Sequence, residues 1–385
     1  METVELAPFK AVADAIKEVG GEAFKLCYQC GTCETVCPWN RVREFKVRKI
    51  INQAKLGVVP LESDDVWLCT TCRNCVEKCP RGVKIIDVMR AMRRLLVPDG
   101  VVPASVPNLR GVMNSIASEG NPWRQEAKDR ANWAKDLGVK DFTEKTEVLY
   151  FPCCTSAYDP RVQKAAQATA KILTGLGVDF GILGSKEVCC GESVRKAGNE
   201  DLFKRLAKDN IKNFIDSGVK KLLVSSPHCY HTFKNEYSEF KVNFEVVHIT
   251  QYLSDLVKQG KLNFSKTYAK KVAYHDPCYL GRHNGIYDEP RSVLKSIPGL
   301  ELVEMADHHN SSLCCGGGGG RIWMETAKGE RFCDWRVQQA IDAGAEVLVT
   351  ACPYCIMNFE DSKLTLGVGD KIQIKDITEI VEEAI

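Results

Sequence analysis

One cysteine pattern occurs twice in the chain, and this repeat constrains the fold more than any other feature. The first copy holds Cys153, Cys189-Cys190-Gly191 and Cys229, and the second holds Cys278, Cys314-Cys315-Gly316, Cys352 and Cys355. In both copies the Cys-Cys-Gly triplet begins 36 residues after the first cysteine. A repeat in such close register indicates a duplicated domain. Five thiols brought together by the second copy suit a metal–sulfur cluster better than a protein core.

The composition favours metal ligation over a disulfide scaffold. The chain has 385 residues, 19 of them cysteine, and 44% of its residues are hydrophobic, which suffices for two or three packed domains. Disulfide scaffolds are typical of short secreted chains, and residues 1–5 do not resemble a signal peptide. A net charge of +2 and the absence of a long apolar run argue against nucleic-acid binding and against a membrane span. We therefore expect a cytoplasmic protein.

The first hundred residues carry a second repeat, the cysteine run of bacterial ferredoxins. Its copies are Cys27, Cys30, Cys33, Cys37 and Pro38, then Cys69, Cys72, Cys75, Cys79 and Pro80. In this run three closely spaced thiolates hold one cubane [4Fe–4S] cluster, and the fourth cysteine ligates the other. The spacing thus predicts one cluster on Cys27, Cys30, Cys33 and Cys79, and another on Cys69, Cys72, Cys75 and Cys37. A zinc site would leave several of these cysteines unused.

Apolar residues at helical spacing follow each run, so the connections are helical. They predict a helix over residues 42–54, with Gly57 as its C-cap, and a second helix over residues 85–95 that Pro98 ends. This favours an α-helical ferredoxin domain over residues 1–97.

A linker over residues 98–146 comes next, with a helix predicted to begin at Asn121. From residue 147 short apolar strands alternate with helices, which is typical of α/β domains with parallel sheets. The repeat divides this part into residues 147–265 and 266–385. The cysteines follow strand ends, at the edge where open α/β sheets hold ligands.

Taken together, these motifs resemble the D-type heterodisulfide reductase family, whose members are fusions of the C-type and B-type polypeptides. The resemblance covers nearly the whole chain and extends to the catalytic iron–sulfur component of the sulfite-reductase-associated membrane complex. It is carried by PCCTSAYDPR, CCGESVRK and SPHCYHTF in the first half, and by HDPCYLGRHNGIYDEPR, CCGGGGGR and TACPYC in the second. It implies that a non-cubane [4Fe–4S] cluster, at which a disulfide is cleaved, is held by Cys278, Cys314, Cys315, Cys352 and Cys355. We expect the glycines of 316–320 to let backbone N–H groups approach this cluster.

The first copy departs from the family pattern, because Ser226 lies where the second copy has Cys352. A serine hydroxyl is a poor iron ligand. The remaining metal candidates are Cys153, Cys189, Cys190 and Cys229, with Cys154 as a spare thiol. They would hold zinc, an altered cluster or no metal, and we favour an empty or structural site.

Most histidines lie near the cysteine motifs, namely His228, His231, His275, His283, His308 and His309. One or two of them would supply protons to product thiolates, although hydrogen bonding to backbone or sulfur is the commoner role. Cys333 is predicted to be a buried thiol on a helix that begins near Arg321.

The leading functional hypothesis is a disulfide reductase in which electrons pass through the two cubanes to the non-cubane cluster. The expected substrate is a heterodisulfide, or the disulfide or trisulfide of a sulfur-carrier protein. The chain lacks a flavin or nucleotide fingerprint, so a flavoprotein or a haem-b membrane protein is the expected partner, and would hold the chain peripherally at the inner face of the membrane. An alternative is an electron-relay component like those of glycolate oxidase and anaerobic glycerol-3-phosphate dehydrogenase, which pass electrons from flavin to quinone. A third is a docking partner for an electron-transferring flavoprotein.

Overall fold

The structure, a computed structural model, describes residues 9–58, 65–97, 104 and 106–385. The chain forms two compact units. The first consists of Met1–Gly111, Ser193–Leu202 and Gly317–Phe332, and the second of Val112–Glu192, Phe203–Gly316 and Cys333–Ile385. The predicted limits of the ferredoxin domain, the linker and the two α/β domains stay a prediction.

The helices of the first unit and of the linker are α1 (Lys10–Ile16), α2 (Thr32–Thr35), α3 (Val47–Leu56), α4 (Asp65–Leu68), α5 (Asn74–Glu77), α6 (Ile85–Leu96) and α7 (Pro107–Glu119). The first α/β half adds α8 (Cys154–Tyr158), α9 (Gln163–Gly175), α10 (Glu192–Lys196), α11 (Glu200–Asp216), α12 (Pro227–His231) and α13 (Ile249–Lys258). The second half adds α14 (Gly281–Asn284), α15 (Asp288–Lys295), α16 (Phe332–Asp342), α17 (Pro353–Leu366) and α18 (Ile377–Ala384). Within the described ranges, none of these helices has the length and apolarity needed to cross a bilayer.

The second unit contains two parallel sheets with the same topology. Their strands are β1 (Val148–Phe151), β2 (Phe180–Gly181), β3 (Lys221–Val224) and β4 (Glu245–His248), then β5 (Lys271–Tyr274), β6 (Glu301–Val303), β7 (Val347–Thr350) and β8 (Gln373–Asp376). The strand orders are β2-β1-β3-β4 and β6-β5-β7-β8. The predicted fold class is therefore confirmed: an N-terminal helical ferredoxin domain followed by two duplicated α/β domains.

The predicted helices around the ferredoxin runs form because each has one apolar stripe. In α3 the buried side chains include Val47, Ile50 and Ile51, and Gly57 ends the helix in the left-handed conformation that glycine favours. Helix α6 likewise buries most of its apolar residues. Pro98, predicted to end α6, lies outside the described residues.

Two predicted helices were wrong. Asn121 does not cap a helix; its side-chain oxygen accepts from the backbone N–H of Trp123 in a turn, and a 3₁₀ helix covers Ala127–Ala134 instead. The helix expected from Arg321 begins only at Phe332, because the Gly-rich segment before it folds as turns and one short 3₁₀ helix. Cys333 is buried in α16, as predicted.

Candidate metal centres

The eight cysteines of the ferredoxin runs line two separate cavities in the first unit. One is lined by Cys27, Cys30, Cys33 and Cys79, and the other by Cys37, Cys69, Cys72 and Cys75. The fourth cysteine of each run thus lies with the first three of the other run. This is the crossed arrangement that the sequence predicts.

These thiols fit a cationic metal cluster. Burial and neighbouring anionic groups raise the pKa of Cys33 to about 11 and that of Cys75 well above its usual value. Thiolates packed so closely repel one another, and bound iron would remove that cost by supplying positive charge. The donor set therefore fits the cubane clusters.

The segment that follows the second Cys-Cys-Gly triplet packs against the second ferredoxin run, within the first unit. A Cβ at Gly318 would lie 2.3 Å from the carbonyl oxygen of Thr70, and one at Gly319 would lie 2.4 Å from that of Cys69. These two glycines are therefore required by close backbone packing. The sequence had suggested another reason for them, the approach of N–H groups to a cluster.

Arg93 of α6 fixes this packing. Its guanidinium is fully buried and donates to four backbone carbonyls, those of Val66, Cys69, Lys196 and Gly319. Lys196 and Gly319 follow the two Cys-Cys-Gly triplets, so one side chain joins both segments to the second ferredoxin run. The sequence offered no signal for this role, because Arg93 lies in an ordinary amphipathic helix.

The cysteines of the second copy follow strands β5, β6 and β7 of the second sheet. Cys278 follows β5, Cys352 lies between β7 and α17, Cys355 is in the first turn of α17, and the Cys314-Cys315 pair follows β6. All five side chains are buried. The carboxyl ends of these strands lie side by side, because β5 is hydrogen-bonded to both β6 and β7.

Hydrogen bonds link three of these thiols. Cys355 bonds to both Cys315 and Cys352, and burial together with these bonds raises its pKa well above the usual value. Burial opposes ionisation of Cys352 too, yet hydrogen bonds from Cys355 and His228 lower its pKa to about 5. The N–H of Gly316, at φ +94°, donates to Cys314 Sγ at 3.3 Å. Buried thiols that hydrogen-bond to one another can ionise together only beside a cation, which fits a cluster.

His228 brings the first half to the second site. It lies on α12, hydrogen-bonds to Cys352, and has its Nδ1 3.1 Å from Glu192 Oε1. Its ring stacks on Tyr279 at 4.1 Å and lies 4.7 Å from Tyr354. Although burial opposes the charge, Glu192 and Cys352 raise the pKa of His228 to about 10. Both neighbours thus favour the protonated form of this imidazole.

Five thiols lie together in the first site, and one of them, Cys154, is not part of the repeated motif. Hydrogen bonds join them in the order Cys154, Cys189, Cys190, Cys229 and Cys153. The thiol that aligning the two copies leaves as a spare, Cys154, is thus part of the group, whereas Ser226 supplies no thiol. Cys153 has φ +83° and ψ 151°, a conformation that side-chain-bearing residues rarely adopt and that is typical of functional sites.

A buried arginine, which the sequence pattern does not reveal, faces this first site. Arg130 Nη1 donates to Cys154 Sγ at 3.2 Å, and Arg130 Nε donates to Glu187 Oε2 at 2.9 Å. Burial opposes its charge, but Cys154 and Glu187 together raise the pKa of Arg130 above its usual value. Arg130 comes from the 3₁₀ helix of the linker, so only the tertiary fold reveals it.

The other histidines lie in three places. His275 accepts from Arg336 beside the second site. His231 and His283 pack on the ring of Tyr279. His308 and His309 lie together in the loop before the second triplet, with their Nδ1 atoms 2.7 Å apart.

Family models match most of the described chain. The cysteine-rich CCG domain matches residues 148–234 and 272–360, and the 4Fe-4S dicluster domain matches residues 23–83. A hypothetical protein from Helicobacter pylori has a similar fold, with a TM-score of 0.55 over 98% of this chain and 72% of that one, at 10% identity.

Three curated relatives cover most of this chain. The chain is 38% identical over 87% of its length to the probable iron-sulfur-binding oxidoreductase FadF of Bacillus subtilis, and 36% identical over 84% to the EtfAB:quinone oxidoreductase of Syntrophomonas wolfei. It spans about half of each, 48% and 47%. It is 33% identical to the D component of the dihydromethanophenazine:CoB–CoM heterodisulfide reductase of Methanosarcina mazei, over 93% of both chains.

Proposed function

This chain belongs to the D-type heterodisulfide reductase family, and we propose that it is an iron–sulfur disulfide reductase. The family identity makes it an iron–sulfur oxidoreductase with CCG domains. The disulfide chemistry and the identity of each cluster are our proposal. The substrate would be a heterodisulfide, or the disulfide or trisulfide of a sulfur-carrier protein.

One observation carries this proposal: the buried thiols of Cys315, Cys352 and Cys355 are joined by hydrogen bonds, and the imidazole of His228 hydrogen-bonds to Cys352. In this proposal a non-cubane cluster is held by Cys278, Cys314, Cys315, Cys352 and Cys355. The two cubanes are held by Cys27, Cys30, Cys33 and Cys79, and by Cys69, Cys72, Cys75 and Cys37. Burying this many ionisable thiols is costly in a protein core that holds no cofactor.

Cleavage of RS–SR′ to two thiols consumes two electrons and two protons. When bound, the clusters supply the electrons singly. The residues of the chain hold the thiolates, exclude water and keep a proton close by. His228 holds that proton on its imidazole beside Cys352, and Glu192 stabilises the charge.

The segment after Cys315 packs next to one proposed cubane. The backbone of Gly319 lies against the carbonyl of Cys69, a proposed cubane ligand. Arg93 donates to both Cys69 and Gly319 and so fixes this contact within the first unit. In this proposal electrons pass through the two cubanes to the non-cubane cluster.

The first site is proposed to be structural. Its metal candidates are Cys153, Cys189, Cys190 and Cys229, which would hold zinc or an altered cluster, with Cys154 paired to Arg130. A fixed guanidinium and a serine at position 226 leave this site chemically unlike the second. Disulfide cleavage is therefore assigned to the second half alone.

The proposed partners are other redox proteins, a haem-b membrane protein or a flavoprotein. The relatives include a component of a heterodisulfide reductase and an EtfAB:quinone oxidoreductase, each named for a redox complex. We propose a location at the inner face of the membrane, reached through such a partner.

A second candidate function is favoured by the relative named EtfAB:quinone oxidoreductase. In that case the chain relays electrons between an electron-transferring flavoprotein and a quinone-reducing partner, and no disulfide is consumed. The two functions differ in one observable property, the release of thiol.

The test uses anaerobic holoprotein whose iron count corresponds to three clusters. It is mixed with a reduced viologen and a panel of disulfides and trisulfides, and oxidised viologen and free thiol are both counted. We expect two viologen radicals to be consumed, and two thiols released, for each disulfide cleaved. Replacing Cys315 by alanine should lower the rate by at least about a hundredfold. Cys333→Ala removes a buried thiol that is not among the proposed ligands and should retain the rate.

The opposite result would contradict the proposed disulfide reductase. In that case the holoprotein releases no thiol from any compound, yet oxidises a reduced electron-transferring flavoprotein, and the electron-relay function is supported.

A further inference from the structure

A buried guanidinium holds the imidazole of His275 beside the second site. Arg336 Nε donates to His275 Nδ1 at 3.0 Å, and the two residues are 0% and 1% exposed. Arg336 is fixed in turn by Nη1, which donates to the carbonyl of Asp307 and the side chain of Gln339. A guanidinium has donors only, so Nδ1 must be the acceptor.

This hydrogen bond determines where the imidazole carries its proton. A neutral imidazole has one N–H, and with Nδ1 accepting, that N–H must be on Nε2. Within the described part of the chain, Nε2 is buried and has no hydrogen-bond partner. A buried donor without a partner is costly, so its partner is expected to be a group that occupies the site.

The thiols beside His275 identify that group. A ring nitrogen of His275 and the Sγ atoms of Cys315 and Cys355 lie within 4.8 Å of one another. Such spacing resembles a three-ligand metal site. However, a nitrogen that bears a proton has no lone pair for a metal, so the Arg336 bond makes His275 a donor and not a ligand.

The first half lacks a counterpart of this arginine–imidazole hydrogen bond. In the strand registers of the two sheets, Phe151 of the first half takes the position of His275. The ring of Phe151 packs on that of Phe233, with centroids 5.0 Å apart, and has no N–H to donate. The tautomer-locked imidazole therefore occurs in the half with the complete cysteine motif.

We propose that His275 Nε2–H donates a hydrogen bond to the sulfur of the cluster held by Cys315 and Cys355, and that Arg336 is the positioning residue that fixes its tautomer. This inference rests on the proposed function, since it requires a cluster at these thiols. A hydrogen bond to cluster sulfur stabilises the more negative, reduced state and so raises the reduction potential.

The test is an EPR-monitored redox titration of the holoprotein and of two variants. His275→Phe keeps the aromatic packing against Phe359, whose ring lies 4.8 Å away, but removes the donor. We expect this change to shift the equilibrium about tenfold toward the oxidised cluster, which lowers the one-electron midpoint potential by about 59 mV. His275→Gln retains an N–H donor and should restore at least half of the shift.

A second pair of variants tests the tautomer lock. Arg336→Met should lower the potential in the same direction as His275→Phe, because Nδ1 can then carry the proton. Arg336→Lys keeps a donor to Nδ1 and should stay close to the wild-type potential. If the His275→Phe protein does not fold, the potentials of the two Arg336 variants decide whether His275 donates to the cluster.

Equal potentials in wild type and His275→Phe, at equal iron content, overturn the inference. So does a strong hyperfine coupling from ¹⁵N-labelled histidine in pulsed EPR, because it would make His275 a ligand. Failure of the proposed function looks different: the wild-type holoprotein then releases no thiol from disulfides, whatever the potentials of its variants.

Discussion

In the first α/β half, β4 enters α13 through a capping box at His248, and in the second half β8 enters α18 through a capping box at Asp376. The glycines of both Cys-Cys-Gly triplets have positive φ, +85° at Gly191 and +94° at Gly316. Each donates its N–H to the sulfur of the cysteine two residues before it. The two halves thus share their backbone down to the turn that positions the thiols.

The side chains around the thiols are different. In the first half Arg130 contacts a thiol directly, at Cys154, and Ser226 stands where the second motif has Cys352. In the second half the guanidinium of Arg336 lies behind an imidazole, which separates it from the thiols. The duplicated backbone thus positions the thiols in both halves, whereas a few buried polar side chains decide the chemistry of each site.

The largest expected effect comes from exchanging the residue that distinguishes the two motifs. Cys352→Ser gives the second half the motif of the first, and we expect loss of about one cluster's iron and at least about a hundredfold lower disulfide reduction. Iron analysis and the viologen assay measure the two effects. A Cys352→Ser protein with unchanged iron and rate would remove the basis of the comparison.

The reverse exchange tests whether the missing thiol is what distinguishes the first site. Ser226→Cys places a thiol where the first motif lacks one, and we expect extra bound iron, on the order of one cluster per chain. Anaerobic reconstitution followed by iron and sulfide analysis measures it. Iron content equal to wild type would mean that Arg130, and not the missing thiol, keeps the first site different.

The next largest expected effect is on the free energy of unfolding. Arg130→Met leaves Glu187 buried without its cation, and we expect the free energy of unfolding to fall by about 3–5 kcal/mol. Urea unfolding of the holoprotein, followed by tryptophan fluorescence, measures this change. The double variant Arg130→Met with Glu187→Met should recover most of the loss, since no buried charge remains. A single variant within about 1 kcal/mol of wild type would show that the pair is not structural.

Much of the architecture could be predicted because cysteine spacing and strand–helix alternation are local signals. The crossed grouping of Cys37 and Cys79 follows from spacing alone. Arg130 and Arg93 could not be predicted, since each acts on groups distant in sequence and lies in an ordinary polar or amphipathic segment. The need for Gly318 and Gly319 likewise depends on which backbone they meet.

Cys154 illustrates the same limit inside the candidate site. Aligning Cys153 with Cys278 by sequence leaves Cys154 as a spare, because the residue 125 positions after it is Tyr279. In the structure it hydrogen-bonds to Cys189 and thus joins the thiol group. Sequence alignment reports which thiols a motif has lost, but only packing reports which neighbouring thiol takes part.

The smallest expected effect tests how the first half contributes to the second. His228→Phe keeps the ring stacking on Tyr279 but removes the hydrogen bond to Cys352, and we expect about a tenfold lower rate of disulfide reduction with unchanged iron. The viologen assay measures this rate. His231→Phe, on the same helix, is the matched control and should change the rate by less than about twofold. Equal rates for the two variants would mean that the halves work independently.

The most direct test of the central claim is anaerobic EPR of the oxidised holoprotein during titration with single thiols. If the second half holds a thiol-reactive cluster, a new spin-half signal appears on thiol addition, disappears in Cys315→Ala, and persists in the matched variant Cys333→Ala. Iron for three clusters with no thiol-dependent signal for any thiol would contradict the account and leave the chain an electron relay.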